Sequence, residues 1–105
     1  MGKMLWKHLS MIEKGFRPTD MEYATESGFI NILGKDENGH LTILEWKSRK
    51  AGTNAVKQLL RYVNDFKEDK TRVRGILVAS SITDDSQEML DYYELNLKWL
   101  NHPKN

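Results

Sequence analysis

Phe29-Ile30-Asn31-Ile32-Leu33, then Lys35-Asp36-Glu37-Asn38-Gly39-His40, then Leu41-Thr42-Ile43-Leu44-Glu45-Trp46: this stretch decides the fold. Its two outer runs are rich in β-branched and aromatic residues, and the segment between them is turn chemistry, so it predicts a β-hairpin. Two loops are open. A two-residue Asn38-Gly39 loop pairs Asn31 with Trp46. A three-residue Glu37-Asn38-Gly39 loop, with Gly39 left-handed, pairs Asn31 with Glu45. A one-residue slip turns a strand over, and both faces of these strands are largely apolar, so periodicity does not choose between the loops. That two-sided apolarity does make the strands central and covered above and below.

Outward from the hairpin, Lys3 to Lys14 suits a short helix, with Leu5, Leu9 and Ile12 at helical spacing and Gly15 as its stop. Pro18 and Pro103, the two prolines, sit where elements are expected to end. An edge strand is expected from about Met21 to Thr25. Downstream, Thr53 to Glu68 carries Val56, Leu59, Leu60, Val63 and Phe66 on one helical stripe. Arg72 to Ala79 reads as a buried strand, basic at its mouth. Thr83 or Asp84 caps a last helix reaching about Tyr93, and Leu95 to Leu100 alternates as a closing strand. The order αβββαβαβ predicts an α/β domain: a mixed central sheet flanked by helices on both faces.

With 105 residues the chain is expected to form one domain, and 39% apolar with 30% charged residues and no long single-sign block argue for a packed core over disorder. The absence of Cys excludes a disulfide scaffold, a thiolate zinc site and an iron–sulfur cluster, and it fits a reducing, cytoplasmic setting. The longest apolar runs, such as Gly75 to Ala79, are too short for a membrane helix, and the first residues lack a sustained signal-peptide core. No membrane partner is expected. A net charge of +1 means that any nucleic-acid contact must come from a local basic patch.

Glu45-Trp46-Lys47 closes the third strand. Residues two apart share a face, so Glu45 and Lys47 project together where the loop Ser48-Arg49-Lys50-Ala51-Gly52 begins. A carboxylate there can ligate a divalent ion through oxygen, and an ammonium beside it can hold a phosphate or orient water. On its own the pair is no more than two solvated charges at a strand end. Trp46 lies between them and points to the opposite face. Trp6, Trp46 and Trp99 are read as core residues. His8, His40 and His102 are scattered, which argues against a histidine metal site.

Together, Ile12-Glu13-Lys14-Gly15-Phe16-Arg17-Pro18, Glu22-Tyr23, Gly28 to Gly39, Leu44-Glu45-Trp46-Lys47, Arg49-Lys50-Ala51-Gly52, Gln58-Leu59, Arg61-Tyr62-Val63 and Val73 to Asp84 closely resemble the nuclease domain of the NucS (EndoMS) endonucleases, over about nine-tenths of the chain. These are RecB-like nucleases of the PD-(D/E)XK class. The resemblance implies a restriction-endonuclease-like sheet and metal-dependent hydrolysis of DNA phosphodiester bonds leaving a 5′ phosphate. Mg²⁺ (or Mn²⁺) would sit at Asn31 and Glu45, with Lys47 stabilising charge and Gln58 near the metal-bound water or the lysine. Glu22 is a candidate additional acid. Lys47, Arg49, Lys50, Lys57 and Arg61 are expected to form a phosphate-binding rim, with DNA as partner. A homodimer is left open. The family's metal-binding acid falls at position 31, so the resemblance favours the three-residue loop with Asn31 facing Glu45.

Three departures bear on activity. Position 31 is Asn where the family pattern has Asp, which removes one negative charge from the metal site. The family's acid on the preceding helix has no counterpart, since Glu13 lies at the wrong end. Residues 1–105 are expected to be a single nuclease-type domain without the family's N-terminal DNA-binding and dimerisation domain. The expected function is therefore a metal-dependent endonuclease domain impaired at Asn31. The competing classes are a non-cleaving nucleic-acid-binding module of the same fold, and an α/β domain that binds no nucleic acid.

Overall fold

The computed structural model describes residues 13–66 and 72–99. It contains β1 (Arg17–Thr25), β2 (Gly28–Lys35), β3 (Leu41–Lys47), α1 (Thr53–Asp65), β4 (Val73–Ala79), α2 (Asp84–Tyr92) and β5 (Asn96–Trp99). The helix expected over Lys3–Lys14 lies outside the described residues, as do His8, His102 and Pro103.

The five strands form one sheet in the order β1-β2-β3-β4-β5. The first three are antiparallel and the last three parallel, so the sheet is mixed as expected. Each parallel step needs a crossover, and right-handed crossovers made in one direction across a sheet deliver their helices to one face. α1 accordingly packs on β3 and β4, and α2 packs on α1 and β5. Ile30, Leu33, Ile43, Val56, Leu59, Val63, Leu77 and Leu90 form the core on that side. The opposite face carries a second buried cluster of Phe16, Ile32, Leu44, Ile76 and Val78, with Trp46 packed against it. Helices are expected on both faces; both described helices lie on the first side, and the expected Lys3–Lys14 helix falls outside the described residues.

The hairpin takes the three-residue loop. The Asp36 N–H donates to the His40 carbonyl (3.0 Å) and the Gly39 N–H donates to the Asp36 carbonyl (2.9 Å). Gly39 has φ +83°, a conformation only glycine adopts without strain. Asp36 Oδ1 accepts from the main-chain N–H groups of Asn38 (2.9 Å) and His40 (2.8 Å). Arg74 reaches across to the turn. It forms a bidentate pair with Glu13 (2.6 and 2.8 Å) and also donates to Asp36 Oδ2 (3.1 Å) and Asn96 Oδ1 (3.1 Å). Burial pushes the Asp36 carboxyl up, but its partners His40, Arg74 and Asn38 outweigh that and hold it below its ordinary value.

Two boundaries differ from the sequence expectation. β1 starts at Arg17, four residues early, with Pro18 inside it opposite Gly34. An edge strand tolerates proline because one row of its N–H groups has no ladder partner. Gly34 is required there, since a Cβ would lie 2.6 Å from the Phe16 ring and 2.4 Å from the Arg17 carbonyl oxygen. α1 ends at Asp65 with Phe66 as its cap, and Glu68 lies outside the described residues. Thr83 caps α2 by accepting from the Ser86 N–H (3.2 Å). Among the described residues no helix is long and apolar enough to cross a membrane.

Candidate active site

The register Ile32↔Leu44, Leu33↔Ile43 sets Asn31 level with Glu45 at the next step of the β2–β3 ladder. On the other side, Met21↔Ile32 and Tyr23↔Ile30 bracket Glu22 and Asn31. Glu22, Asn31 and Glu45 thus form a row across three adjacent strands. Lys47 follows Glu45 on the same face.

The row is a place where the sheet is irregular. Ile30 and Ile32 are two residues apart, yet Ile30 packs in the helix-side core and Ile32 in the opposite one. In a regular strand they would share a face, so β2 turns over at Asn31. Glu22, at the same level of β1, has φ +50°. The ladder to β3 opens at this point as well. The Trp46 N–H donates to the side-chain Oδ1 of Asn31 at 2.7 Å, where a main-chain carbonyl of β2 would ordinarily accept. That bond fixes which way the amide faces: an N–H must meet oxygen, so the Asn31 NH2 group points away from β3. It donates to Glu22 Oε2 at 3.4 Å, a long contact.

Glu45 is 6% exposed, and its Oε1 is buried with no hydrogen-bond partner. Burial raises its pKa from 4.5 to about 7. The Glu22 charge adds to the rise, while the Lys47 ammonium and the Asn31 main-chain N–H oppose it. A carboxyl so placed is part-protonated at neutral pH and can give or take a proton there. Tyr62 lies within electrostatic reach of Glu45. Its hydroxyl donates to the Phe29 carbonyl (2.9 Å), and its pKa is raised by burial, with Glu45 and Glu22 among the charges that bear on it.

Gln58, expected near a metal-bound water or the lysine, bonds to the β1–β2 turn and to its own helix. Its Nε2 donates to the Ser27 carbonyl (2.9 Å) and its Oε1 accepts from Arg61 Nη1 (3.0 Å). Gln58 and Tyr62, one turn apart on α1, therefore clamp the β1–β2 turn and the start of β2 from above. In the sequence Tyr62 stands out only as part of a family motif. Its position three residues after Leu59, on the apolar stripe, was the signal that it is buried. Glu13 belongs to the Arg74 network and not to the site.

Lys47, Arg49, Lys50, Lys57 and Arg61 are all exposed. The ion pairs among the described residues join His40 to Asp36 and Arg74 to Glu13 and Asp36, so none of them uses these five cations. The loop carrying Arg49 and Lys50 is pinned where the Ala51 N–H donates to the Ser81 carbonyl (2.9 Å) and the Thr83 N–H to the Ala51 carbonyl (3.1 Å).

The residues present do not fit a resident divalent ion. Mg²⁺ and Mn²⁺ take oxygen ligands. The Asn31 carbonyl, expected as one of them, is neutral and already accepts from the Trp46 N–H, and its amide nitrogen presents hydrogens to Glu22. Among the described residues no group of three His, Cys, Asp or Glu side chains could hold a metal ion.

The sequence model of the Endonuclease NucS C-terminal domain family matches residues 1–105. The chain is 41% identical to Endonuclease NucS of Pyrococcus horikoshii, over 100% of this chain and 42% of that protein. It is 44% identical to Endonuclease NucS of Methanocaldococcus jannaschii, over 99% of this chain and 40% of that protein. Among solved structures it superposes on an EndoMS–dsDNA complex with a TM-score of 0.88, at 38% identity over 100% of this chain and 44% of that one. A repair endonuclease from Pyrococcus abyssi gives 0.89 at 36% identity, over 98% and 46%. The chain spans about two-fifths of the length of the curated relatives it matches.

Proposed function

The chain belongs to the Endonuclease NucS C-terminal domain family, and on that footing we propose that it engages the DNA backbone at the β3 end but is deficient in cutting it. The first half rests on the EndoMS neighbour solved with double-stranded DNA and on five exposed cations that pair with no described acid. Arg49, Lys50, Lys57 and Arg61 hold phosphates along the duplex, a contact that positions it without reading its sequence, and Lys47 faces the phosphate at the centre.

One observation carries the second half: the 2.7 Å bond from the Trp46 N–H to Asn31 Oδ1, which engages the one side-chain oxygen that position 31 offers and leaves only N–H donors beside it. Glu45 and Lys47 are retained, so the machinery is one atom type short. A Mg²⁺- or Mn²⁺-dependent endonuclease belongs to the Asp form of position 31. There one oxygen would accept from Trp46 and the other would be free.

The test is plasmid nicking with Mg²⁺ or Mn²⁺ by the native chain and by Asn31→Asp. The variant is expected to nick, and the native chain to be slower by on the order of 10²-fold or more, the scale of losing a group that stabilises charge in the transition state. Equal rates would show that Asn31 does not impair the centre.

A further inference from the structure

The misfit between this centre and a divalent ion has a consequence for how DNA is held. In an Asp form of the chain, Glu22, residue 31 and Glu45 would line up three acidic side chains across β1, β2 and β3, against the single ammonium of Lys47. A DNA phosphate approaching that row meets excess negative charge, which a bound cation would offset. The native row differs in two respects. It has lost one carboxylate. It has also gained, at the same position, an amide nitrogen whose hydrogens point out of the β2–β3 ladder toward Glu22, because the oxygen end is held by Trp46. The NH2 group carries two hydrogens and its single contact with Glu22 is long at 3.4 Å, so an amide hydrogen remains available to a phosphate oxygen. Lys47, on the same face and exposed, supplies the charge.

We propose that the Asn31 amide stands in for the metal, so that the native chain receives a DNA backbone phosphate at Asn31 and Lys47 without a divalent ion. The proposal rests on the DNA-binding reading above and extends it from whether DNA is bound to what neutralises the site when it is.

The experiment is equilibrium binding of a short fluorescent duplex, at constant ionic strength, in EDTA and in millimolar Ca²⁺, for the native chain and for Asn31→Asp. The native affinity is expected to stay within about twofold between the two conditions. Asn31→Asp is expected to bind on the order of tenfold more weakly in EDTA and to recover in Ca²⁺. A native chain that gains as much from Ca²⁺ as the variant overturns the proposal. So does a variant that binds as well as the native chain in EDTA. No DNA binding by either form in either condition overturns the DNA-binding reading itself, and this proposal with it. A measurement on the native chain alone keeps the proposal testable should the variant not fold: calorimetric titration with Mg²⁺ or Mn²⁺ should show no stoichiometric site, and a one-to-one site would overturn it.

Discussion

The Tyr62 hydroxyl lies 2.9 Å from the Phe29 carbonyl oxygen and ties the last turn of α1 to β2 two residues before Asn31. Helix and strand are thereby joined at the point where β2 turns over. Tyr62→Phe keeps the ring in its packed place and deletes only the donor, leaving a part-buried carbonyl unpaired. Chemical denaturation should show a loss of about 1–2 kcal/mol. A variant as stable as the native chain would mean that the hydroxyl does not hold the strand.

Glu45 should make stability depend on pH in an unusual direction. Its folded pKa, about 7, lies above its ordinary 4.5, so the folded state keeps the proton that the unfolded chain releases. Its contribution to stability therefore falls as pH rises from about 4.5 through about 7, and is flat beyond. The span is at most roughly 3 kcal/mol. Urea unfolding of Glu45→Gln across that range should lack this decline. The variant should match the native chain near pH 4.5 and exceed it at pH 8. Parallel pH profiles for the two proteins would refute the raised pKa.

Arg74→Ala should be far more damaging than Glu13→Ala. Asp36 is 4% exposed on its side chain and would be left charged in the turn without its guanidinium, at a cost of about 2–4 kcal/mol. Glu13→Ala leaves the Arg74–Asp36 pair intact. Comparable denaturation midpoints for the two variants would argue that the Asp36 contact contributes little.

Lys47 and the rim cations should fail in different measurements. On an Asn31→Asp background, Lys47→Ala should slow cleavage by on the order of 10²–10³ while duplex affinity changes little. Neutralising Arg49, Lys50 and Lys57 should instead weaken binding to every duplex and flatten its salt dependence, by up to about one unit for each phosphate no longer held. Loss of binding without loss of chemistry in Lys47→Ala would make Lys47 one more rim cation.

The hairpin was legible because Asn38-Gly39 is turn chemistry, and the α1 stripe because Val56, Leu59 and Val63 recur at helical spacing. The loop length was not legible from the residues, for a physical reason. Ile30 and Ile32 are both buried but in opposite cores, so β2 does not keep the two-residue period from which a register is read. Pro18 reads as a terminator and is instead an edge-strand residue, because its missing N–H costs nothing on an outer row. Asn31 could be picked out by family resemblance. The direction of its amide could not, since a main-chain N–H on the neighbouring strand sets it. The same holds for Gln58: its spacing from Arg61 is visible in the sequence, but its bond to the Ser27 carbonyl, 31 residues away, is not.

Arg74 bonds to residues 61, 38 and 22 positions away along the chain, in Glu13, Asp36 and Asn96. Closing loops of that length is entropically slow, so these bonds form only after the strands they bridge have been assembled. Interactions that arise after the folding transition state govern how fast a protein comes apart, not how fast it goes together. The Arg74 cluster thus works as a kinetic clasp on the end of the sheet remote from Glu45 and Lys47. In stopped-flow experiments Arg74→Ala should raise the unfolding limb of the chevron and leave the refolding limb in place.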